Sequence, residues 1–247
     1  MKQLLLAVAA LSLGSCTVYA PTQCAAPNIR DRGELEVAAT LHANTKLEGA
    51  LTYSPIKHVL VRAAGGFRNG FSGDTSTSNT YFRVRQYEVA AGGYWCPTER
   101  LVLGGLGGYG QAHNQRGFVE NGLAYDNPFR NYDARYHTIF GEAFAVFQGR
   151  YVGAGGALRL TGVQFDQLTN RGNPIGPESM LRAEPMGFVR FDPTAKAGHF
   201  LQLQVAAGLS WTADNGLRGD SNAENVRDAN LRVAASLLLY PHQLWRK

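Results

Sequence analysis

Beyond its first residues, the sequence has no apolar run long enough to form a membrane-spanning helix. Such a helix needs about 20 consecutive apolar residues, and no segment after the leader approaches that length. If the chain crosses a membrane, it therefore does so as strands. Glycine is abundant, at 29 of 247 residues, and long stretches of helix-period hydrophobicity are few. We therefore predict a β-rich protein.

Basic residues are in modest excess and nowhere form a clustered stripe. Lys and Arg number 24 against 19 Asp and Glu, a formal net charge of +5. Loss of the leader removes only Lys2, which leaves 23 basic against 19 acidic residues and a net charge of +4. Because nucleic-acid-binding proteins usually present a basic patch or stripe, no nucleic acid partner is expected.

Cysteine is scarce, with three in the chain, and the first lies at the end of a secretion signal. Lys2 precedes an apolar run at 4–13 that is too short to span a bilayer, which is typical of a secretory signal peptide. Residues 13–16, Leu-Gly-Ser-Cys, resemble the bacterial lipobox, in which the cysteine is acylated and becomes the mature N-terminus. We therefore predict a signal peptide at 1–15 and lipidation of Cys16.

A second cleavage position remains open, after Ala20, but it would leave Pro21 at the new N-terminus, which signal peptidases generally dislike. The two other cysteines, Cys24 and Cys96, would lie in a compartment that permits disulfides. We favour two unpaired thiols over a disulfide between them.

Apolar and polar residues alternate with a period of two in segment after segment, which indicates strands with one face of each kind. In 34–43, for example, Leu35 and Leu41 share one face, whereas Glu36 and His42 share the other. Ten strands are predicted, near 34–43, 46–53, 58–68, 80–96, 100–111, 134–148, 150–165, 179–191, 201–211 and 231–240. We assign 16–32 to a linker and 33–247 to a β-barrel domain.

The connections between these strands alternate in length. Short turns are predicted at 54–57, 97–99, 149 and 192–197, and longer connections at 69–79, 113–133, 166–178 and 213–228; the first hairpin is the one short member of the long series. An even number of strands with short turns at one end and long loops at the other is typical of an outer-membrane barrel. The predicted fold is therefore an all-β, antiparallel, up-and-down transmembrane barrel with short periplasmic turns and longer extracellular loops.

Aromatic residues recur where the predicted strands reach the short turns, several of them in an aromatic-x-Pro ending. Proline suits such a position because no further ladder hydrogen bond is needed there. In a membrane barrel these rings form a girdle at the interface. The predicted periplasmic girdle comprises Tyr53, Trp95, Phe147, Phe191 and Tyr240.

Charged residues of both signs occupy the polar faces at mid-strand, and they decide which face points outward. An arginine that faces lipid at the midplane costs about 2–4 kcal/mol, whereas charges inside a barrel can pair with one another. We therefore predict a lumen network centred on Glu142 and Arg159. Its members are Glu36, Glu48, Arg62, Glu88, Glu142, Arg159, Arg182, Glu184, Arg190 and Arg232.

The opening strand Gly-Glu-Leu-Glu-Val-Ala-Ala-Thr, the repeated Ala-Ala-Gly-Gly strands, the aromatic-x-Pro endings and the lipobox-like leader together resemble the small, porin-like outer-membrane β-barrel proteins of Bacteroidota. The resemblance covers roughly 33–240. It implies a location in the outer membrane and a barrel fold, and little about activity. Many such barrels carry an ordinary signal peptide, so the lipobox departs from the family pattern.

Signals for catalysis, metals and cofactors are weak. None of the six histidines stands in an H-x-S arrangement, although His42, His113 and His137 could approach the upper rim, at the long-loop end, with Asp126 or Asp133. The Asp-containing stretch at 214–222 lacks the acid spacing of a calcium loop. Glycine-rich runs lack the Lys-Ser/Thr of a phosphate loop. We therefore predict no enzyme, no cofactor and no metal.

The predicted function is a structural, adhesive or small-solute role that an outer-membrane barrel exercises through its extracellular loops. Outer-membrane lipid is one expected partner, and an unknown extracellular ligand at loop 113–133 is another. Aromatics and arginines dominate binding hot spots, and this loop contains Phe118, Tyr125, Phe129, Tyr132, Arg116 and Arg130; these rings could equally pack on one another. The alternative is a periplasmic lipoprotein whose soluble β-barrel binds an apolar ligand. The oligomeric state is open.

Overall fold

The computed structural model describes residues 18–72, 80–119, 129–196, 198–213, 226 and 229–244. Its strands are β1 Leu35–His42, β2 Leu47–Tyr53, β3 Val59–Ser72, β4 Thr80–Thr98, β5 Leu101–Val119, β6 Phe129–Gln148, β7 Val152–Asn170, β8 Asn173–Pro174, β9 Ser179–Phe191, β10 Leu201–Thr212 and β11 Asn230–Leu239. One short helix, α1 Pro241–Leu244, follows the last strand. In the described part of the chain, no helix is long and apolar enough to cross a membrane.

The strands close into a barrel. Each long strand pairs antiparallel with the next, β7 pairs with both β6 and β9, and the first strand pairs with the last, as in Val37↔Leu239. The two-residue β8 only extends the end of β7, where Thr169 pairs with Pro174. The predicted closed antiparallel barrel of ten strands is therefore confirmed.

The wall is much higher on one side than on the other. β1 and β2 have 8 and 7 residues, whereas β4, β5, β6 and β7 have 19, 19, 20 and 19. The sequence analysis ended β5 and began β6 too close to the barrel centre, because hydropathy stops alternating there. Pairing nevertheless continues, as in Gln115↔Asp133. Much of the predicted loop 113–133 is thus strand, and its connection, 120–128, lies outside the described residues.

The outer face is apolar and the inner face polar. Ile139, for example, is 67% exposed. The other exposed apolar residues of this face are Leu41, Leu47, Leu51, Val61, Phe67, Val89, Leu158, Leu160, Leu181, Val189, Leu203, Val205, Leu209, Leu237 and Leu239. All ten charged residues of the predicted lumen network are buried. This is the polarity of a transmembrane barrel. It is the opposite of what the soluble-barrel alternative requires, namely an apolar interior.

Four of the five predicted girdle residues lie on the outer face at the end with short connections. Tyr53, Trp95, Phe147 and Phe191 are 41%, 64%, 50% and 48% exposed. Tyr240 does not join them: it is 2% exposed, and its hydroxyl donates to Glu36 Oε2 at 2.7 Å. Because side chains alternate along a strand and Leu239 faces outward, the next residue faces inward.

The repeated glycine pairs make room for aromatic rings inside the barrel. Gly104 and Gly108 of β5 pair with Phe144 and Phe140 of β6. A Cβ atom at either glycine would overlap the ring of its partner. The inward-facing glycine of such a pair therefore lets a large ring lie flat against the neighbouring strand, which fills the narrow lumen.

Candidate functional site: the filled lumen

Residues 18–30 fill the centre of the barrel. The sequence analysis assigned this stretch to a linker at 16–32, but Val18 and Ile29 are fully buried and Cys24 is 3% exposed. The segment belongs to no strand. Val18 packs near the start of β6, at the end with long connections, and Arg30 donates to the Glu99 carbonyl at the opposite end. Residues 18–30 thus run through the lumen from the long-connection end to the short-turn end before β1 begins.

Side chains of the barrel wall donate hydrogen bonds to the carbonyl groups of this lumen segment (residues 18–30). Asn114 Nδ2 donates to Val18 at 2.9 Å, and Arg232 Nη1 donates to Thr22 at 2.8 Å. The further donors are Lys46 to Pro21, Arg62 to Gln23 and Arg190 to Ala26. A buried carbonyl outside a sheet still needs a partner, and one asparagine and four cationic side chains supply it.

Acidic side chains bind the amide groups of the same segment. Glu48 accepts from the Gln23 amide at 2.9 Å, and Glu36 accepts from the Asn28 amide at 3.1 Å. Nearer the short turns, Glu34 accepts from the Arg30 amide at 2.7 Å. Since an unpaired buried polar group costs about 1–3 kcal/mol, the charges of the wall stabilise a main chain that no strand covers.

Four of the predicted charges form a chain of ion pairs beside the segment. Arg159 Nε donates to Glu142 Oε2 at 2.6 Å, and its two terminal nitrogens reach the carboxylate oxygens of Glu88 at 3.0 and 3.3 Å. Arg62 Nε lies 3.6 Å from Glu88. Glu142 and Arg159 are direct neighbours across β6 and β7, as the sequence analysis placed them. Arg159 therefore holds two buried carboxylates at once.

The other predicted charges do not join this chain of ion pairs. Arg182 and Glu184 meet through Ser210, whose hydroxyl accepts from the arginine at 2.8 Å and donates to the glutamate at 3.0 Å. Glu48 binds Lys46 at 2.9 Å and also His42. The remaining three, Glu36, Arg190 and Arg232, contact the lumen segment. The sequence analysis paired the charges with one another because it placed the segment outside the barrel.

Apolar contacts with the wall also hold the lumen segment in place. Cys24 and Ile29 belong to a cluster with wall residues such as Phe140 and Phe188. At the other end, the ring of Tyr19 lies 5.6 Å from that of Tyr136. The thiols of Cys24 and Cys96 are unpaired. Tight packing therefore accompanies the hydrogen bonds along the whole segment.

Little space remains between the segment and the wall. Two residual cavities of about 20 Å³ each lie there, one beside Glu88 and Arg159 and one beside Glu36 and Arg190. Each has room for roughly one water molecule. In the described part of the chain, residues 18–30 and the wall side chains therefore fill the centre of the lumen, with small cavities such as these between them.

Several residues of the predicted ligand surface face inward instead. The rings of Phe118 and Tyr132 stack at 6.0 Å inside the upper barrel, and the guanidinium of Arg116 lies 5.1 Å from the Phe118 ring. Tyr125 lies outside the described residues. Phe118 and Tyr132 therefore pack on one another, which is the second of the two arrangements considered in the sequence analysis.

The histidines named as rim candidates fall on two different faces. His113 lies 3.1 Å from Asp133, and His137 lies 3.0 Å from Asp166, both on the outer face of the barrel. His42 is buried inside, and Asp126 lies outside the described residues. Within the described ranges, no group of three or more His, Cys, Asp or Glu is arranged to hold a metal ion.

Solved structures similar to this chain include several outer-membrane barrels. The outer-membrane protease OmpT from Escherichia coli is 12% identical, with 84% of this chain and 93% of that chain covered and a TM-score of 0.50. The translocator domain of autotransporter NalP from Neisseria meningitidis is 10% identical, covering 96% and 95%, with a TM-score of 0.42. The toluene transporter TbuX from Ralstonia pickettii is 13% identical, covering 87% and 71%, with a TM-score of 0.39.

No protein-family model matches the chain, and no curated protein matches its sequence. The comparison with OmpT contradicts the prediction that the protein is not an enzyme, because a protease shares this fold. Non-enzymes share it as well, and at 12% identity the likeness is one of fold. The chain therefore has the fold of the outer-membrane β-barrels, and that likeness by itself assigns no activity.

Proposed function

We propose that this protein is an outer-membrane barrel kept closed by its own N-terminal segment, and that it acts as a membrane-anchored platform through its long-connection end. The occupation of the lumen by residues 18–30 carries this proposal. A barrel filled in this way is suited to present a surface rather than to conduct solute. Its structural or adhesive role would lie in the long connections above the tall wall of β4–β7.

The location forms part of the proposal and has three supports. They are the fold, the apolar outer face and the leader that ends in the lipobox-like Cys16. Lipidation of Cys16 would add a second anchor to the barrel. The narrower resemblance to barrels of Bacteroidota rests on the Ala-Ala-Gly-Gly and aromatic-x-Pro motifs of the sequence.

Heat-modifiability tests the membrane location. We expect the Cys16→Ala protein to stay in the outer membrane and, after extraction in mild detergent, to migrate differently on a gel with and without boiling. A closed barrel resists the detergent until it is heated, whereas a lipid-anchored soluble protein would enter the periplasm once the cysteine is gone. Release into the soluble fraction without a mobility shift would overturn the proposed location.

Planar-bilayer recording tests the closed state. We expect the full mature chain to insert without producing ion-conducting steps, because residues 18–30 are buried in the centre of the lumen and bind the wall along their length. A known open porin, inserted from the same detergent, is the positive control for the recording. Steady conductance from the full chain would contradict the platform function.

Passage of a small solute is a second candidate function, favoured by one feature of the lumen segment. Residues 18–30 pair with no strand, so their withdrawal would break no sheet hydrogen bond. Their contacts with the wall are hydrogen bonds from single side chains and apolar packing. A stimulus that displaced the segment would therefore open the barrel without unfolding it.

A further inference from the structure

The outer face of β4, β5 and β6 carries a row of cationic side chains. Arg85, His113 and Arg135 are direct neighbours in the strand register, Arg85↔His113 and His113↔Arg135. Both arginines are exposed and the imidazole is partly exposed. We call these three residues the cationic row. It lies on the long-connection side of the apolar band, where lipid headgroups meet a barrel.

An apolar rim lies two rows nearer the barrel centre. Val89, Tyr109 and Ile139 are neighbours in register and are 54%, 39% and 67% exposed. Only one row of mixed polarity, with Tyr87 and His137 at its ends, separates them from the cationic row. The outer surface therefore changes from charged to apolar within about 14 Å along the strands.

Below this rim the surface is made of small residues. Ala91, Gly107 and Gly141 form one row, and Gly93, Gly105 and Ala143 form the next. At Gly141 an added Cβ would meet no atom within 4 Å, and at Gly107 the nearest atom would be 3.9 Å away. We call these six residues the small-residue floor. It is a shallow apolar depression that begins three rows below the cationic row, directly under the apolar rim.

The carboxylates near the cationic row do not neutralise its two arginines. Asp133 accepts from His113 at 3.1 Å and from Gln115 at 2.8 Å, and Asp166 bonds His137 at 3.0 Å, so both carboxylates already bind an imidazole. The exposed Arg83 lies one outward position above Arg85. Glu178 lies farther round the barrel, beyond β7, where its carbonyl accepts from Phe165.

We infer that this face binds a lipid of the outer leaflet through a phosphorylated headgroup. The phosphate sits between Arg85 and Arg135, beside His113, and an acyl chain lies on the small-residue floor. Guanidinium groups bind phosphate oxygens through paired, charge-assisted hydrogen bonds. Basic side chains at the membrane surface are attracted to anionic headgroups. The cationic row, the apolar rim and the small-residue floor follow one another along the same three strands. A single amphipathic molecule can therefore contact all three.

A second copy of this chain fits the face less well. Two copies related by a two-fold axis along the membrane normal would place their identical surfaces opposite each other at the same depth. The cationic row of one copy would then meet the cationic row of its partner, and like charges in contact are repulsive. Charge complementarity therefore selects an anionic lipid.

The headgroup is tested with purified protein in neutral detergent and lipid A that carries two phosphates, with binding followed by native mass spectrometry. We expect Arg85→Gln with Arg135→Gln to weaken binding at least about tenfold, since each surface arginine contributes appreciably to anionic-lipid attraction. Arg100→Gln with Arg150→Gln, which removes two exposed arginines at the short-turn end, is the matched control and should bind as the parent does. Equal affinity in the two double variants would overturn the inference.

The acyl-chain part is tested with a pair of glycines. Gly141→Val fills the floor, whereas Gly187→Val adds the same atoms at an equally open outward position on β9. We expect several-fold weaker lipid A binding only in the first, with the boiling-dependent gel shift retained in both. Equal binding by the two valine variants, or full competition by millimolar inorganic phosphate, would show that no acyl chain is held there. A dimer that Gly141→Val dissociates would assign the face to a second copy instead.

Discussion

Deletion of residues 18–30 is expected to turn a closed barrel into a conducting one. The deletion removes all main-chain groups that Arg232, Arg62 and Glu48 bind across the lumen. Those side chains would then face water, which solvates them, so we expect the ten strands to stay closed around an aqueous passage. In planar bilayers the conductance should rise at least an order of magnitude above that of the full chain. The boiling-dependent gel shift should persist.

A loop variant gives the matched control for this deletion. Replacement of residues 120–128 by a short glycine-serine turn also shortens the chain at the long-connection end, but it leaves the lumen segment in place. That variant should remain closed. If deletion of 18–30 left the conductance at the level of the full chain while the barrel still formed, the lumen segment would not be what closes the barrel, and the proposed function would fail.

Substitution of Arg159 by methionine is expected to cause the largest loss of stability of any single lumen change. Arg159 is 2% exposed and neutralises both Glu88 and Glu142. Removal of one partner from a buried ion pair costs about 3–5 kcal/mol, because the charge left behind has no compensation. We expect a decrease of this size in the free energy of unfolding, measured by urea titration of the protein refolded into liposomes.

Companion variants separate the charge effect from loss of volume. Glu142→Ala should also lower the unfolding temperature, although less, because Arg159 keeps its contact with Glu88. Arg159→Met combined with Glu88→Gln and Glu142→Gln should recover much of the loss, since no buried charge remains unpaired. Arg150→Met, at an exposed turn position, should change stability by about 0.5 kcal/mol or less. Unchanged stability in both Arg159→Met and Glu142→Ala would refute the network.

The lumen segment shows why part of the site escaped the sequence analysis. Its order comes from partners far along the chain, such as Arg190 and Arg232, and a short stretch without periodicity gives no sign of such contacts. One signal was present: between Val18 and Arg30 the only charged residue is Arg30 itself. A solvated linker usually carries more polar and charged residues than this.

Two other differences follow from local physics that a hydropathy pattern does not report. The end of β5 was placed too early and the start of β6 too late, because strand pairing continues beyond the apolar band, where the outer face becomes polar. Tyr240 was assigned to the girdle by its position near a turn. The strict alternation of β11, with Leu239 outward, directs Tyr240 toward Glu36.

By itself, the sequence determined the ten strands, their antiparallel order, the long and short ends and the inward direction of the charges. These depend on a period-two pattern and on the cost of placing arginine in lipid, and both are local properties of each strand. Only the tertiary structure decided what the charges do. A charge inside a barrel takes whichever partner closure brings to it, and here several of them hold the chain's own N-terminal segment, because that segment occupies the volume that ten strands enclose.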